Sequence, residues 1–293
     1  MVAAEFARAK INLFLHVTGR RKDGYHTLDS LAIFPPVGDL LRMDGAPELS
    51  LHVSGPFASG LSTEQNLVFQ AARLFSKATG HVPACSFSLY KALPVASGIG
   101  GGSADAAATL RLLARHFDEA IPADLPLNLG ADVPVCVLSE PARMAGIGEI
   151  LTEAPRLPDF GIVLVNPGLH VSTQAIFQAR SGPFSPPARL NSAWFTAESM
   201  ARGLAHLSND LEPPAVVLVP IIADVLASLR MNQNCLLARM SGSGATCFGL
   251  FRSAKEAIEA AKSLTYPGWW VWGGSGTTRV TDPFCDPDTG QQS

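Results

Sequence analysis

No charge of one sign dominates this sequence. Lys and Arg number 22 against 25 Asp and Glu, a formal net charge of −3, so nothing draws the whole chain toward nucleic acid or an anionic membrane surface. Long apolar runs are missing as well. The opening MVAAEFARAKINLFLHV is interrupted by Glu5, Arg8 and Lys10, and the apolar stretch 215–223 by Pro220, which argues against a signal peptide or a transmembrane span. Cysteine is scarce and scattered: Cys85, Cys136, Cys235, Cys247 and Cys285 are odd in number, form no CxxC pair and have only His81 nearby. That excludes a disulfide framework or a zinc ribbon and favours buried, reduced thiols in a cytoplasmic protein. The histidines are dispersed too, so no metal site built from imidazoles is expected. What is plentiful is apolar side chain. With 47% hydrophobic residues over 293 positions, a large core and two domains are expected.

Periodicity gives a mixed architecture. From Phe6 to Val17 the sequence alternates, Ala7, Ala9, Ile11, Leu13, Leu15 and Val17 against Arg8, Lys10, Asn12 and His16, which predicts one strand with a polar face. A turn at 22–24 then leads into YHTLDSLAIF, predicting a hairpin with Tyr25 and His26 at its base. Ser62 and Gln65 suggest a capping box before the helical spacing of Leu67, Ala71, Leu74, Phe75 and Ala78, which Gly80 stops. Pro155, Pro158 and Gly161 suggest a domain boundary, and beyond it FGIVLV, CLLARM, TCFGLF and WWVWGG read as strands. PIIADVLASLR and SAKEAIEAAKSL read as helices, 180–192 as an exposed loop and DPDTGQQS as a frayed tail. Strands and helices are mixed without steady alternation, so the expected class is α+β.

One segment carries chemistry on its face. PVASGIGGGSADAAATL, residues 94–110, places glycines at 98, 100, 101 and 102 between the strand ACSFSLYKAL and a run of helix formers. Glycines let the backbone approach a ligand, and Ser103 reads as the N-cap of a helix whose free N–H groups favour an anion. A tight turn is the competing reading. No Lys follows in the GxxxxGK[ST] manner, so a P-loop is excluded; Ser103 occupies the third place of GxGxxG, and Asp118 continues a helix, which removes the dinucleotide fingerprint. Lys10 and Asn12 share the polar face of the first strand and either line a site or meet solvent. Asp132, enclosed by LGA and VPVCVL, needs a partner or serves as a turn residue before Pro134.

In company, these segments resemble a known family. PVASGIGGGSADAA resembles the phosphate-binding motif of the GHMP kinases, the superfamily of galactokinase, homoserine kinase, mevalonate kinase and phosphomevalonate kinase, and MSGSGATCFGLF resembles its C-terminal glycine motif. AKINLFLHVTGRRKDGYHTLDSL (9–31), LGADVPVCV (129–137) and NDLEP (209–213) resemble the branch acting on 4-diphosphocytidyl-2-C-methyl-D-erythritol, the likeness running from about residue 7 to 251. The resemblance implies a two-domain α+β GHMP kinase fold with a ferredoxin-like C-terminal domain, divided as 1–155 and 156–285 with a tail at 286–293. It implies transfer of a phosphoryl group from ATP to the 2-hydroxyl of that alcohol in non-mevalonate isoprenoid synthesis.

The resemblance also distributes roles. Lys10 and Asp132 become catalytic, Asp132 as general base. Pro94, Ala96, Ser97, Gly98, Ile99, Gly100, Gly101, Gly102 and Ser103, with Asn66, fall to ATP, its phosphates bridged by Mg²⁺. Asn12, Tyr25, His26 and Phe177 fall to the substrate, the aromatics to its cytosine. Ala104 stands where many members have a second serine, so one hydroxyl contact is lost. The expected partners are small molecules alone, with no nucleic acid or membrane, in a monomer or a homodimer. Another GHMP alcohol, or a nucleotide-binding relative without catalysis, is the alternative.

Overall fold

The computed structural model describes residues 3–277. In chain order the first part runs β1 (Ala3–Arg8), β2 (Ile11–Arg20), β3 (His26–Ile33), β4 (Gly38–Gly45), β5 (Ser50–Ser54), α1 (Leu67–Thr79) and β6 (Cys85–Tyr90). It continues through α2 (Gly101–Phe117), α3 (Leu125–Leu129), α4 (Val133–Leu138), β7 (Ala142–Gly146) and β8 (Ile150–Glu153). After it come β9 (Gly161–Asn166), α5 (Thr173–Ala179), α6 (Ala197–Ala205), α7 (Glu212–Leu218) and α8 (Ile221–Met231). The last elements are β10 (Leu237–Met240), β11 (Cys247–Phe251), α9 (Ala254–Ser263) and β12 (Trp270–Ser275).

Three four-stranded sheets result, ordered β1-β4-β6-β5, β2-β3-β7-β8 and β10-β11-β9-β12. The third is antiparallel throughout, and its chain order β9, helices, β10, β11, α9, β12 is the ferredoxin-like arrangement expected for this part. In the first sheet β5 and β6 pair in parallel, which requires a crossover, and α1 supplies it. The helices α1 and α2 cover that sheet, burying Phe75, Leu110 and Leu113 with Phe87 and Leu89 of β6.

Two local expectations are corrected. The predicted strand Phe6–Val17 is two strands, β1 and β2, broken at Ala9 and Lys10. Nor is the polar face solvated: Lys10, in the break, and Asn12 and His16 of β2 are all buried. The reason is a layer that a single strand's pattern does not show. Ile11, Leu13 and Phe14 of β2 pack with Ile162 and Leu164 of β9 and Phe248 and Leu250 of β11, while Leu15 and Val17 join a second cluster with Val163 and Val165. With both faces covered, polar side chains on β2 must find partners inside. His16 does so by accepting from the Ser208 N–H at Nε2 (3.3 Å) and donating from Nδ1 to the Pro186 carbonyl (3.0 Å).

The helix after Ser62 starts later than the capping-box reading places it. Asn66 is the N-cap of α1, its Oδ1 accepting from the Val68 N–H at 3.0 Å, whereas the Ser62 hydroxyl merely accepts from the Gln65 N–H. Gly80 ends the helix in the left-handed conformation, as expected. Residues 180–192 carry no helix or strand. The tail and Cys285 lie outside the described residues; Cys85, Cys136 and Cys247 are buried free thiols, and Cys235 is a half-buried one. Among the described residues no helix is long and apolar enough to cross a membrane.

Candidate active site

The glycine segment closes between β6 and α2. Its backbone turns through positive φ at Ala96 (48°), Gly98 (75°) and Gly100 (67°), so the chain reverses within a few residues. The N-cap of α2 is Gly100, not Ser103, which sits half-buried in the helix's first turn. Ser103 is a good cap by residue type, but the left-handed Gly100 lets the helix begin three residues earlier. Gly100 brings no side chain to cap the helix. The first-turn N–H groups at Gly101, Gly102 and Ser103 are therefore not capped from that position, and with the helix dipole they make this end suited to an anion. Pro94, Ser97 and Ile99 are buried, and the Ser97 hydroxyl donates to the Pro94 carbonyl at 2.7 Å. Those three shape the loop from below.

Gly98 shows why the loop tolerates no side chain there. A Cβ on it would lie 2.6 Å from the Ser241 carbonyl oxygen and 2.7 Å from the Gly244 N–H nitrogen. The first glycine loop is thus pressed against the second, SGSGA at 241–245. Thr246 N–H donates to the Ser97 carbonyl (3.0 Å), and the Ser241 hydroxyl donates to the Gly98 carbonyl (3.2 Å). Behind them Asn209 donates to the carbonyls of Met240 and Gly242, each at 2.8 Å. The role of NDLEP in this frame was legible only through resemblance; its spacing alone says nothing.

Lys10 emerges beside this loop. Its N–H donates to the Ile99 carbonyl (2.8 Å), and its stem lies beneath Gly100. Its side chain is 4% exposed, and its ammonium meets Asn12 Oδ1 at 2.8 Å and Asp132 Oδ2 at 3.0 Å. Asp132 heads α4 without using its carboxylate as a cap, so that group is left to Lys10, and it is 37% exposed. Asn12 is held in turn by the Ser30 hydroxyl, which accepts from Nδ2 (2.7 Å), and by the Ser241 hydroxyl, which accepts from its N–H (3.1 Å). A carboxylate open to solvent, a buried ammonium touching it and an anion-binding helix end therefore converge across three stretches of chain.

The aromatic group stands at the other end of β2 and β3. His26, paired with Arg20 in the hairpin, stacks on Phe177 of α5, centroids 5.1 Å apart and planes 18° apart. Phe184 approaches the same imidazole at 6.5 Å, while Tyr25 is 60% exposed and forms no ring pair among the described residues. His26 and Phe177 already touch, which leaves no room for a planar group between their rings. Burial, then Arg20 and Arg180, push the His26 imidazole below its ordinary value, which leaves it neutral at neutral pH with one donor and one acceptor. Asn66 remains a helix cap, as described.

A buried trio beneath α2 was missed in the sequence. Lys91 lies between Asp39 (2.5 Å) and Asp105 (2.7 Å), each of the three nearly inaccessible. The residues are 52 and 14 positions apart along the chain, and only the fold joins them. Burial pushes the Asp105 carboxyl up from 3.8 to about 8 against the pull of Lys91. A raised carboxyl favours the folded state in its protonated form. Its contribution is full below about pH 4 and is lost as pH rises through about 8. The melting temperature should therefore fall over this interval more steeply in the wild type than in Asp105→Asn, whose amide mimics the neutral acid; equal slopes in a thermal scan from pH 5 to 8.5 would refute it.

Known proteins share the sequence and the fold of this chain. The family described as GHMP kinases N terminal domain matches residues 66–140, and GHMP kinases C terminal matches residues 196–268. A 4-diphosphocytidyl-2-C-methyl-D-erythritol kinase of Paramagnetospirillum magneticum is 49% identical over 271 residues, covering 90% of this chain and 95% of its own. Its counterpart from Cereibacter sphaeroides is 52% identical over 272 residues, covering 91% and 96%. A crystal structure of 4-(cytidine 5'-diphospho)-2C-methyl-D-erythritol kinase superposes with a TM-score of 0.78 at 33% identity, covering 93% of this chain and 98% of that one. A crystal structure of L. major mevalonate kinase shares the fold alone, with a TM-score of 0.60 at 12% identity.

Proposed function

The chain belongs to the GHMP kinases, and within them to the 4-diphosphocytidyl-2-C-methyl-D-erythritol kinases; from that premise we propose that it transfers the γ-phosphoryl group of ATP to the 2-hydroxyl of 4-diphosphocytidyl-2-C-methyl-D-erythritol. It is an ATP-dependent small-molecule kinase, and the observation that carries the finer reading is the Lys10–Asp132 contact beside the uncapped start of α2. The Asp132 carboxylate takes the hydroxyl proton as the alkoxide oxygen bonds to phosphorus and the bond to the departing ADP breaks. Lys10 holds Asp132 in place and offsets negative charge on the group in flight.

The glycine loop holds the phosphates of ATP through backbone N–H groups. Among the described residues no group of three or more His, Cys, Asp or Glu is arranged to hold a cation. Mg²⁺ would enter with the nucleotide as part of the Mg–ATP substrate and offset its phosphate charge, while the chain's own residues bind and orient that complex. Neutral His26, stacked on Phe177, offers hydrogen-bonding edges and an aromatic face to cytosine. Asn12, fixed by Ser30 and Ser241, orients Lys10 toward the acceptor.

A coupled assay of ADP release tests the reading. With the cytidylyl alcohol, turnover should proceed; with mevalonate or homoserine it should stay at the background rate. Replacing His26 by Ala should raise KM for the cytidylyl alcohol about tenfold, the order of one lost stacking or hydrogen-bonding contact, and leave KM for ATP unchanged. Equal turnover of mevalonate, or a His26→Ala effect confined to ATP, contradicts the assignment.

A further inference from the structure

We propose that Asp39, Lys91 and Asp105 form a clamp closing the base of the glycine loop, and that through it they set the affinity for ATP as positioning residues. The inference rests on the reading of residues 98–103 as the ATP loop. Asp105 stands within the glycine motif but is given no role there, and the catalytic pair uses none of the three side chains.

The clamp has two arms. On the incoming side, Asp39 at the start of β4 accepts from the Ala92 N–H (2.6 Å) and the Leu93 N–H (2.9 Å) with Oδ1, fixing the chain as it leaves β6 for the loop. Its Oδ2 accepts from the Lys91 ammonium at 2.5 Å. On the outgoing side, the same ammonium donates to Asp105 Oδ2 at 2.7 Å, in the first turns of α2. One buried cation thus ties the entry of the loop to its exit. The trio lies directly beneath the anion-binding end: a Cβ on Gly101, the first residue of α2, would stand 3.5 Å from Lys91 Nζ and 3.8 Å from Asp39 Oδ2.

A buried ion pair is a weak source of stability, because desolvation offsets the attraction and apolar side chains of the same volume serve as well or better. The arrangement is also left incomplete, since Asp105 Oδ1 is buried and has no hydrogen-bond partner. What the trio provides that apolar packing does not is direction. Hydrogen bonds fix the spacing between residues 92 and 105, and with it the orientation of the N–H groups between them. Lys91 also offsets the charge of the Asp39 carboxylate, which would otherwise lie under the phosphates and repel them.

Isothermal titration of the whole protein with Mg–ATP, without the alcohol, measures the effect directly, and the ADP-release assay separates it from chemistry. Asp105→Ala cuts the outgoing arm and leaves Lys91 with Asp39. It is expected to weaken ATP binding about tenfold, as for one lost charge-assisted hydrogen bond. KM for the cytidylyl alcohol and kcat at saturating ATP should stay within about twofold, since neither Lys10 nor Asp132 is touched. Asp105→Asn keeps an acceptor for Lys91 and should bind ATP with an affinity between wild type and Asp105→Ala. Lys91→Gln, which can reach one carboxylate at most, gives the same selective loss and carries the test if Asp105→Ala does not fold. Wild-type affinity in the folded variants overturns the clamp, as does a loss shared equally by ATP, alcohol and kcat, the mark of general damage. If the wild type itself binds no ATP, the reading of the loop falls, a failure distinct from that of the clamp.

Discussion

Asp132→Asn should lower kcat by about 10² to 10⁴, the usual contribution of a positioned general base, while the protein stays folded. The carboxamide has the shape of the carboxylate and its oxygen still accepts from Lys10, so the ammonium keeps a partner at the place now 3.0 Å away. Asp132 makes no side-chain cap to α4, and its side chain is partly open to solvent, so little packing depends on it. The melting temperature should move by only a few degrees. What the amide cannot do is take a proton from the acceptor hydroxyl. KM for ATP should change little, because the phosphates are held at the glycine loop. Single-turnover kinetics with both substrates saturating gives the decisive number. A rate within threefold of wild type would leave Asp132 without the role of base.

Lys10→Met should cost about 10² to 10³ in kcat, comparable to removing one preorganised donor from a charge developing in the transition state. Stability should suffer too, in contrast to Asp132→Asn. Lys10 is 3% exposed, and its loss leaves Asn12 Oδ1 without its donor in the interior, at a cost of about 1–3 kcal/mol. The double variant should be scarcely slower than the worse of the two single ones, since ammonium and carboxylate act as one unit. Rates that multiply instead would mean that the two residues work independently.

The sequence disclosed this site unevenly, and the reasons are physical. The glycine cluster was legible because backbone requirements are local: positive φ at Gly98 and Gly100 and the start of a helix leave marks within a few residues. The four strands β9 to β12 and the helices α8 and α9 were legible from their local patterns, whereas the shorter α5, α6 and α7 were not. The alternation in β2 misled, because a strand covered on both faces carries no solvent signal, and Lys10 and Asn12 looked surface-bound on periodicity alone. Asp132 stood out as a charge in apolar surroundings, but its partner lies 122 positions earlier, and only the fold brings them together. The trio of Asp39, Lys91 and Asp105 was not legible as a unit: Asp105 stands inside the glycine motif without a role of its own, Lys91 falls near the end of the segment read as a strand, and only the fold brings Asp39 to them. The position of Ser103 was judged by residue type, whereas the cap was set by the backbone of Gly100.

The contact between the two glycine loops carries a consequence for the order in which this molecule is made. Asn12 N–H is held by the Ser241 hydroxyl across 229 positions, and the Gly98 carbonyl by the same hydroxyl across 143. During synthesis the first two sheets can assemble from their own residues, β1 through β8, long before position 241 has been translated. Closing such distant contacts is the slow part of folding. The first eight strands can therefore pair before residue 241 is made, whereas the glycine loop at 98 and Asn12 gain their Ser241 contacts only once the chain has reached β10 and β11.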